Sequence, residues 1–174
     1  MKKTIPVLVL ISTIAVGCGT SYSWRSSVPQ ECRAVFVPTF RNESTVMEAG
    51  AVASRQVLRE IQREGTFRIA GEDEAALEIQ GKIVSARAGV SAYDRRSMLR
   101  LSAYNFTLNA EVSVIDRRRG KVLVENRKYS GETTFTTGQD ISNAERDAVG
   151  RAADDIAQKV IDDLLRMDYN KGAR

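Results

Sequence analysis

The chain has 174 residues, of which 26 are Lys or Arg, 22 are Asp or Glu and none is histidine. The missing imidazole excludes Ser-His-Asp and Cys-His catalysis and the usual catalytic zinc sets. No glycine-rich nucleotide-binding motif occurs, and together these absences argue against an enzyme.

Met1-Lys2-Lys3 is a short positive start, and Thr4 to Val16 is an apolar run without a charge. Ala15-Val16-Gly17-Cys18 follows, with small residues ahead of a cysteine. A basic n-region, an apolar h-region and a small residue before the cut make a secretory signal, expected over 1–17 and removed. A cysteine directly after that cut marks a bacterial lipoprotein, so Cys18 is the expected site of lipidation, with diacylglycerol on its thiol and an acyl chain such as palmitate on the new amino terminus. The run is shorter than the roughly 20 apolar residues that span a bilayer. The chain is therefore expected to be anchored to a membrane through lipid rather than threaded through it, each buried CH₂ contributing ~0.8 kcal/mol. Gly19, where an Asp would favour the inner membrane, points to the cell outer membrane by analogy with other lipoproteins. Without Lys2 and Lys3 the formal charge of +4 falls to +2, with 24 basic residues against 22 acidic ones. Nothing in that balance asks for nucleic acid, and an anionic ligand needs a local cluster.

Residues 18–31 read as the lipidated cysteine and a polar tether, with Tyr22, Trp24 and Val28 as its apolar anchors. The stretch 32–168 reads as one domain, and 169–174 as a fraying tail. Cys32 lacks a partner once Cys18 carries lipid; opening an apolar run, it reads as a small buried hydrophobe. Cys32 to Thr39 is a β-rich run with Pro38 near its exit. Met47 to Glu64 reads as a helix, with Met47, Ala51, Ser54, Leu58 and Ile61 on one face and Gly65 as its stop. Phe67 to Ala70 is a short extended piece, and Gly71-Glu72-Asp73-Glu74 an acidic turn.

Ala75 to Ala86 reads as a strand in which Leu77, Ile79 and Ile83 alternate with polar residues. Gly81 falls on the apolar side and marks a bulge or a close packing contact. The alternation is clearest over 104–114: Tyr104, Phe106, Leu108, Ala110, Val112 and Val114 point one way, Asn105, Thr107, Asn109, Glu111 and Ser113 the other. Asp116 to Lys121 reads as a tight hairpin with Gly120 at positive φ, returning through Val122 to Phe135. Ser142 to Met167 is the strongest helix. Val149, Ala153, Ile156, Val160 and Leu164 form its seam, and Ser142 and Glu145 have capping-box spacing. The pairs Asp154-Asp155 and Asp162-Asp163 read as its solvated edge rather than as metal ligands.

The order β-α-β-β-β-α is expected to fold as an α+β two-layer sandwich, a mixed four-stranded sheet with both helices on one face. The first strand and the one after the first helix should be parallel neighbours through a right-handed crossover, the rest a meander.

Taken together, Cys18-Gly19, Ala34-Val35-Phe36-Val37-Pro38 leading into Phe40-Arg41-Asn42-Glu43-Ser44, Leu77 to Ile83, and Phe106 to Val114 with the Arg-rich turn resemble the LptE family of lipopolysaccharide-assembly lipoproteins. The resemblance covers nearly the whole mature chain. It implies a two-helix layer on a four-stranded mixed sheet, and a protein that plugs the LptD β-barrel translocon and helps assemble it. It also implies lipopolysaccharide as ligand, with no catalytic residue, cofactor or metal, and a domain on the periplasmic side or inside the barrel lumen. Arginine forks match phosphate geometry. The candidate contacts are Arg95 and Arg96 in the loop before the long hairpin, and Arg117, Arg118, Arg119 and Lys121 at its tip. The loop position is the one the family favours. Ahead of the last helix the family has basic character, whereas Thr137-Gly138-Gln139-Asp140 has none. A lipoprotein that activates a cell-wall synthase is the alternative, because its strand and the Asn42-Glu43-Ser44 segment would look alike.

Overall fold

The computed structural model describes residues 28–92, 103–136 and 141–169, so Cys18, Arg95 and Arg96 lie outside the described residues. A 3₁₀ turn, Gln30–Cys32, leads into β1 (Ala34–Phe36), β2 (Arg41–Asn42), α1 (Ala49–Glu64) and β3 (Arg68–Ile69). Three long strands follow, β4 (Leu77–Ala92), β5 (Ala103–Asp116) and β6 (Lys121–Thr136), and then α2 (Ile141–Arg166). The strands form one mixed sheet in the order β3-β1-β4-β5-β6, with β2 also on β4.

The two-layer architecture is the expected one, but the sheet has six strands rather than four. One extra strand is the extended piece β3, which pairs in parallel with β1. The other arises because the first strand breaks in two. Both β1 and β2 run parallel to β4, Val35 opposite Leu77 and Arg41 opposite Lys82, so the register slips by one residue between them. Pro38 lies in that gap, where its missing N–H could serve no ladder. Cys32 closes the 3₁₀ turn instead of opening the strand.

α1 is rotated from its expected face. Ala49, Ala53, Val57 and Ile61 are buried at steps of four, with Gly50 and Ser54 beside them. Met47 lies before the helix and is 91% exposed, and Ala51 and Leu58 are only half-buried. The inward residues are small because the sheet edge comes very close. A Cβ on Gly50 would overlap the Phe40 carbonyl, and one on Gly81 would overlap the Phe40 ring. Gly81 thus marks close packing rather than a bulge, and its register with Val112 is unbroken. Gly65 ends the helix at φ 81°.

β5 keeps the expected alternation, with Phe106, Leu108, Ala110, Val112 and Val114 buried. Tyr104, half-buried, stacks on Phe135 with ring centroids 5.4 Å apart. Gly120 turns the hairpin at φ 62°. β6 is less regular than its sequence suggests. Its register with β5 slips on both sides of Val114, and Asn126 adopts φ 44°, its N–H donating to Ser113 Oγ at 2.9 Å. Bulges of this kind bend and twist a long hairpin. They leave Val122 exposed and Leu123, Val124 and Tyr129 half-buried.

α2 buries the whole expected seam, together with Ala148, Ala152, Ala157 and Ile161. It runs from Ile141 to Arg166. Gly131 of β6 faces it so closely that a Cβ would overlap the Ala152 carbonyl. Tyr169, expected in the fraying tail, is instead 5% exposed, and its hydroxyl donates to the Leu164 carbonyl at 2.7 Å. Both helices thus cover one face of the sheet. The other face carries Asn105, Thr107, Asn109, Glu111 and Ser113 and is left open. Among the described residues no helix is long and apolar enough to cross a membrane.

These close contacts predict a contrast between two glycines. Gly131→Ala should cost about 1–3 kcal/mol in urea unfolding, as overpacking typically does. Gly89→Ala, with nothing within 4 Å of the added methyl, should leave the midpoint nearly unchanged.

Candidate functional site

The β5–β6 turn brings together the basic residues of the Arg-rich run, and one carboxylate organises them. Asp116 is the last residue of β5 and only 2% exposed. It accepts hydrogen bonds from the backbone N–H of Arg118 at 3.0 Å and of Arg119 at 3.1 Å, and from Arg119 Nη1 at 3.3 Å. An Asp that binds the backbone two and three residues on is a turn-former by chemistry. It fixes the path of the three arginines.

Their side chains then part. Arg117 turns toward β4, where Nη1 meets Glu78 Oε2 at 2.5 Å and Glu72 Oε1 at 3.4 Å. The hydrogen bond to Glu78 holds its guanidinium even more firmly protonated than usual. Arg118 and Arg119 turn toward the entry of the chain into the domain. Arg118 Nη1 donates to the Glu31 carbonyl at 3.3 Å, and Arg119 Nη2 lies 3.8 Å from Glu31 Oε1. Lys121 is exposed and pairs with no carboxylate among the described residues. Four acidic residues therefore offset this basic cluster, and it pins the hairpin tip to the 3₁₀ turn and to the 72–78 segment. Arg95 and Arg96, the other pair read from sequence, lie outside the described residues.

Cys32 sits beneath this tip, in a small hollow with Glu31, Asp116, Arg118 and Arg119. It is a free thiol, 3% exposed. Burial, and then the negative charges of Asp116 and Glu31, push its pKa up. A thiol that is both covered and protonated is a poor nucleophile.

The open sheet face is the second polar surface. Lys82 of β4 lies between two carboxylates, Glu111 Oε2 at 3.2 Å and Glu43 Oε2 at 3.6 Å. The bond to Glu111 raises its pKa. Sequence reading placed the β5 residues on this face but missed Lys82 and the acids that hold Arg117. Those pairs depend on strand register, which a single sequence does not display. On the helix side, Asp163 accepts from Tyr129 Oη at 2.8 Å and pairs with Arg127 at 3.2 Å, while Asp155 pairs with Lys159 at 2.9 Å. One member of each acidic pair thus ties α2 to β6, Asp163 through Tyr129 and Arg127 and Asp155 through the Glu132 N–H at 3.3 Å. Asn42, in a glycosylation-like triplet, spends its amide on the Val46 and Met47 carbonyls at 2.7 and 3.0 Å.

The thiol chemistry is testable. In the native protein at neutral pH, Cys32 should react with an aromatic disulfide reagent far more slowly than a free thiol. The rate should climb in parallel with unfolding in urea; fast labelling in buffer would contradict its burial.

A family model described as LptE, lipopolysaccharide-assembly, matches residues 32–164. No curated protein matches the chain in sequence. Among solved structures, the chain is similar to the protein CT253 from Chlamydia trachomatis, with a TM-score of 0.54 and 10% identity, over 77% of this chain and 96% of that one. It is also similar to the protein XCC0632 from Xanthomonas campestris, with a TM-score of 0.52 and 11% identity, over 84% of this chain and 94% of that one. At these identities the likeness is one of fold.

Proposed function

The chain belongs to the LptE lipopolysaccharide-assembly family, and on that premise we propose that it is an outer-membrane lipoprotein that plugs an LptD-type β-barrel, helps it assemble and binds lipopolysaccharide. The family match across residues 32–164 is the observation that carries this reading. Cys18 supplies the anchor, through the lipid added after removal of residues 1–17. Ten Cα–Cα steps lead from it to Val28, so at ~3.5 Å per residue the domain stays within about 35 Å of the membrane surface.

The fold suits a plug. A barrel lumen is polar, and the open face of β4–β6 presents amides, hydroxyls and the ion pairs of Lys82 with Glu111 and Glu43. The apolar area of the chain is spent on its own helices instead. Lipopolysaccharide offers phosphates on its inner sugars. Arg95 and Arg96, Lys121, and the outward nitrogens of Arg117, Arg118 and Arg119 are the groups on which it would bear. The protein works by being placed and by binding, without a catalytic step.

Co-purification tests this. The tagged chain, expressed in its own host, should carry palmitate and bring down a large β-barrel from the outer-membrane fraction. Cys18→Ser should remove the label and release the domain from the membrane. Recovery of a cell-wall synthase in place of the barrel would overturn the reading in favour of an activator of that enzyme.

A further inference from the structure

On the open face, strand register arranges side chains in rows across β4, β5 and β6. One row is Lys82–Glu111–Lys128, the next Ser85–Asn109–Ser130, and the third Arg87–Thr107–Glu132. The middle row floors a shallow depression of about 410 Å³ that is also lined by Val84, Arg87, Glu111 and Lys128. The Asn109 amide donates to Ser85 Oγ at 3.1 Å, which fixes its carbonyl oxygen and leaves the Ser130 hydroxyl beside it.

The charges around this floor are unevenly matched. Glu111 is engaged by Lys82 at 3.2 Å, and Lys82 also holds Glu43. Lys128, on the other side of Glu111, has no carboxylate partner among the described residues. Arg87 has none either, although Glu132 stands across Thr107 from it. Among the described residues, two cations that make no ion pair therefore bracket a row of neutral hydrogen-bonding groups. Their rows lie four residues apart on β5, about 14 Å at ~3.4 Å per residue. That is too far for one phosphate and suited to two anionic groups carried on one sugar chain.

We propose that this depression is a binding site for a phosphorylated saccharide. The Arg87 fork takes one phosphate and Lys128 the second anionic group. Ser85, Asn109, Ser130 and the free lone pairs of Glu111 take the sugar hydroxyls between them. The site uses none of the hairpin-tip residues and neither Arg95 nor Arg96. Its natural ligand being lipopolysaccharide rests on the function proposed above. An anionic phospholipid headgroup offers phosphate without the saccharide, and is the source the experiment must separate.

The test uses the full-length chain in nonionic detergent. Binding is measured to rough-type lipopolysaccharide, to the same material after phosphatase treatment, and to phosphatidylglycerol. R87Q/K128Q should weaken binding of the phosphorylated lipopolysaccharide at least about tenfold, the loss of two charge-assisted contacts. Wild type should bind the dephosphorylated form and phosphatidylglycerol more weakly than the intact ligand. Both side chains are exposed, so the urea midpoint of the double variant should match wild type. Affinity within twofold of wild type, or equal binding of phosphatidylglycerol and lipopolysaccharide, overturns the site. If R95E/R96E abolishes binding while R87Q/K128Q does not, the site falls and the lipopolysaccharide reading stands. If wild type binds no lipopolysaccharide, that reading falls and the site falls with it.

Discussion

Phe40 joins the three parts of this domain, and it can do so only because two glycines let it in. Its ring lies on Gly81 in the first third of β4, and its carbonyl lies against Gly50 in the first turn of α1. A methyl group at either place would push the sheet edge away from the helix layer. With Phe40 seated, β1 and β2 can both lie along β4, and α1 can drop close enough to present Ala49, Ala53 and Val57 inward. Gly131 does the same at the far side, where β6 meets the carbonyl of Ala152. A buried Phe is worth ~3–5 kcal/mol against Ala, a large share of the 5–15 kcal/mol that holds a domain of this size.

The outcome is an asymmetric sheet. One face is closed by two helices over a single core running from Val28 to Tyr169. The other is polar along three strands of 14 to 16 residues. Exposed sheet faces that carry amides, hydroxyls and paired charges stay soluble while keeping hydrogen-bonding capacity for a partner. In a family that works in lipopolysaccharide assembly, a face of that kind suits both a polar barrel lumen and a sugar. The Arg-rich tip is different in character. Its charges are largely consumed within the domain, by Asp116, Glu78, Glu72 and Glu31, and hold the long hairpin against the 3₁₀ turn and the 72–78 segment.

How much of this was legible in the sequence differs from element to element. The seam of α2 and the alternation of β5 were, because each is long and buries large residues at an unbroken period. The seam of α1 was read correctly at Ser54 and Ile61 but misjudged in its first turns, where the inner face is Ala49, Gly50 and Ala53, small residues that carry little hydrophobic signal and pack where Phe40 comes close. The break between β1 and β2 was signalled by Pro38, yet its consequence, two short strands on one edge, depends on pairing with β4. The hairpin tip showed its arginines plainly but not their partners, which lie about 40 and 87 residues away in sequence at Glu78 and Glu31. The depression on the open face was illegible for the same reason: Ser85, Asn109 and Ser130 become one row only when three strands are in register.

The central claim is that the open face is the working surface and the helix face a support. Site-specific photo-crosslinking in the native envelope tests it most directly. A photoreactive residue in place of Thr107 or Ser113 should give adducts with the barrel or with lipopolysaccharide. Adducts from Arg55 on the outer side of α1, with none from Thr107 or Ser113, would contradict the account.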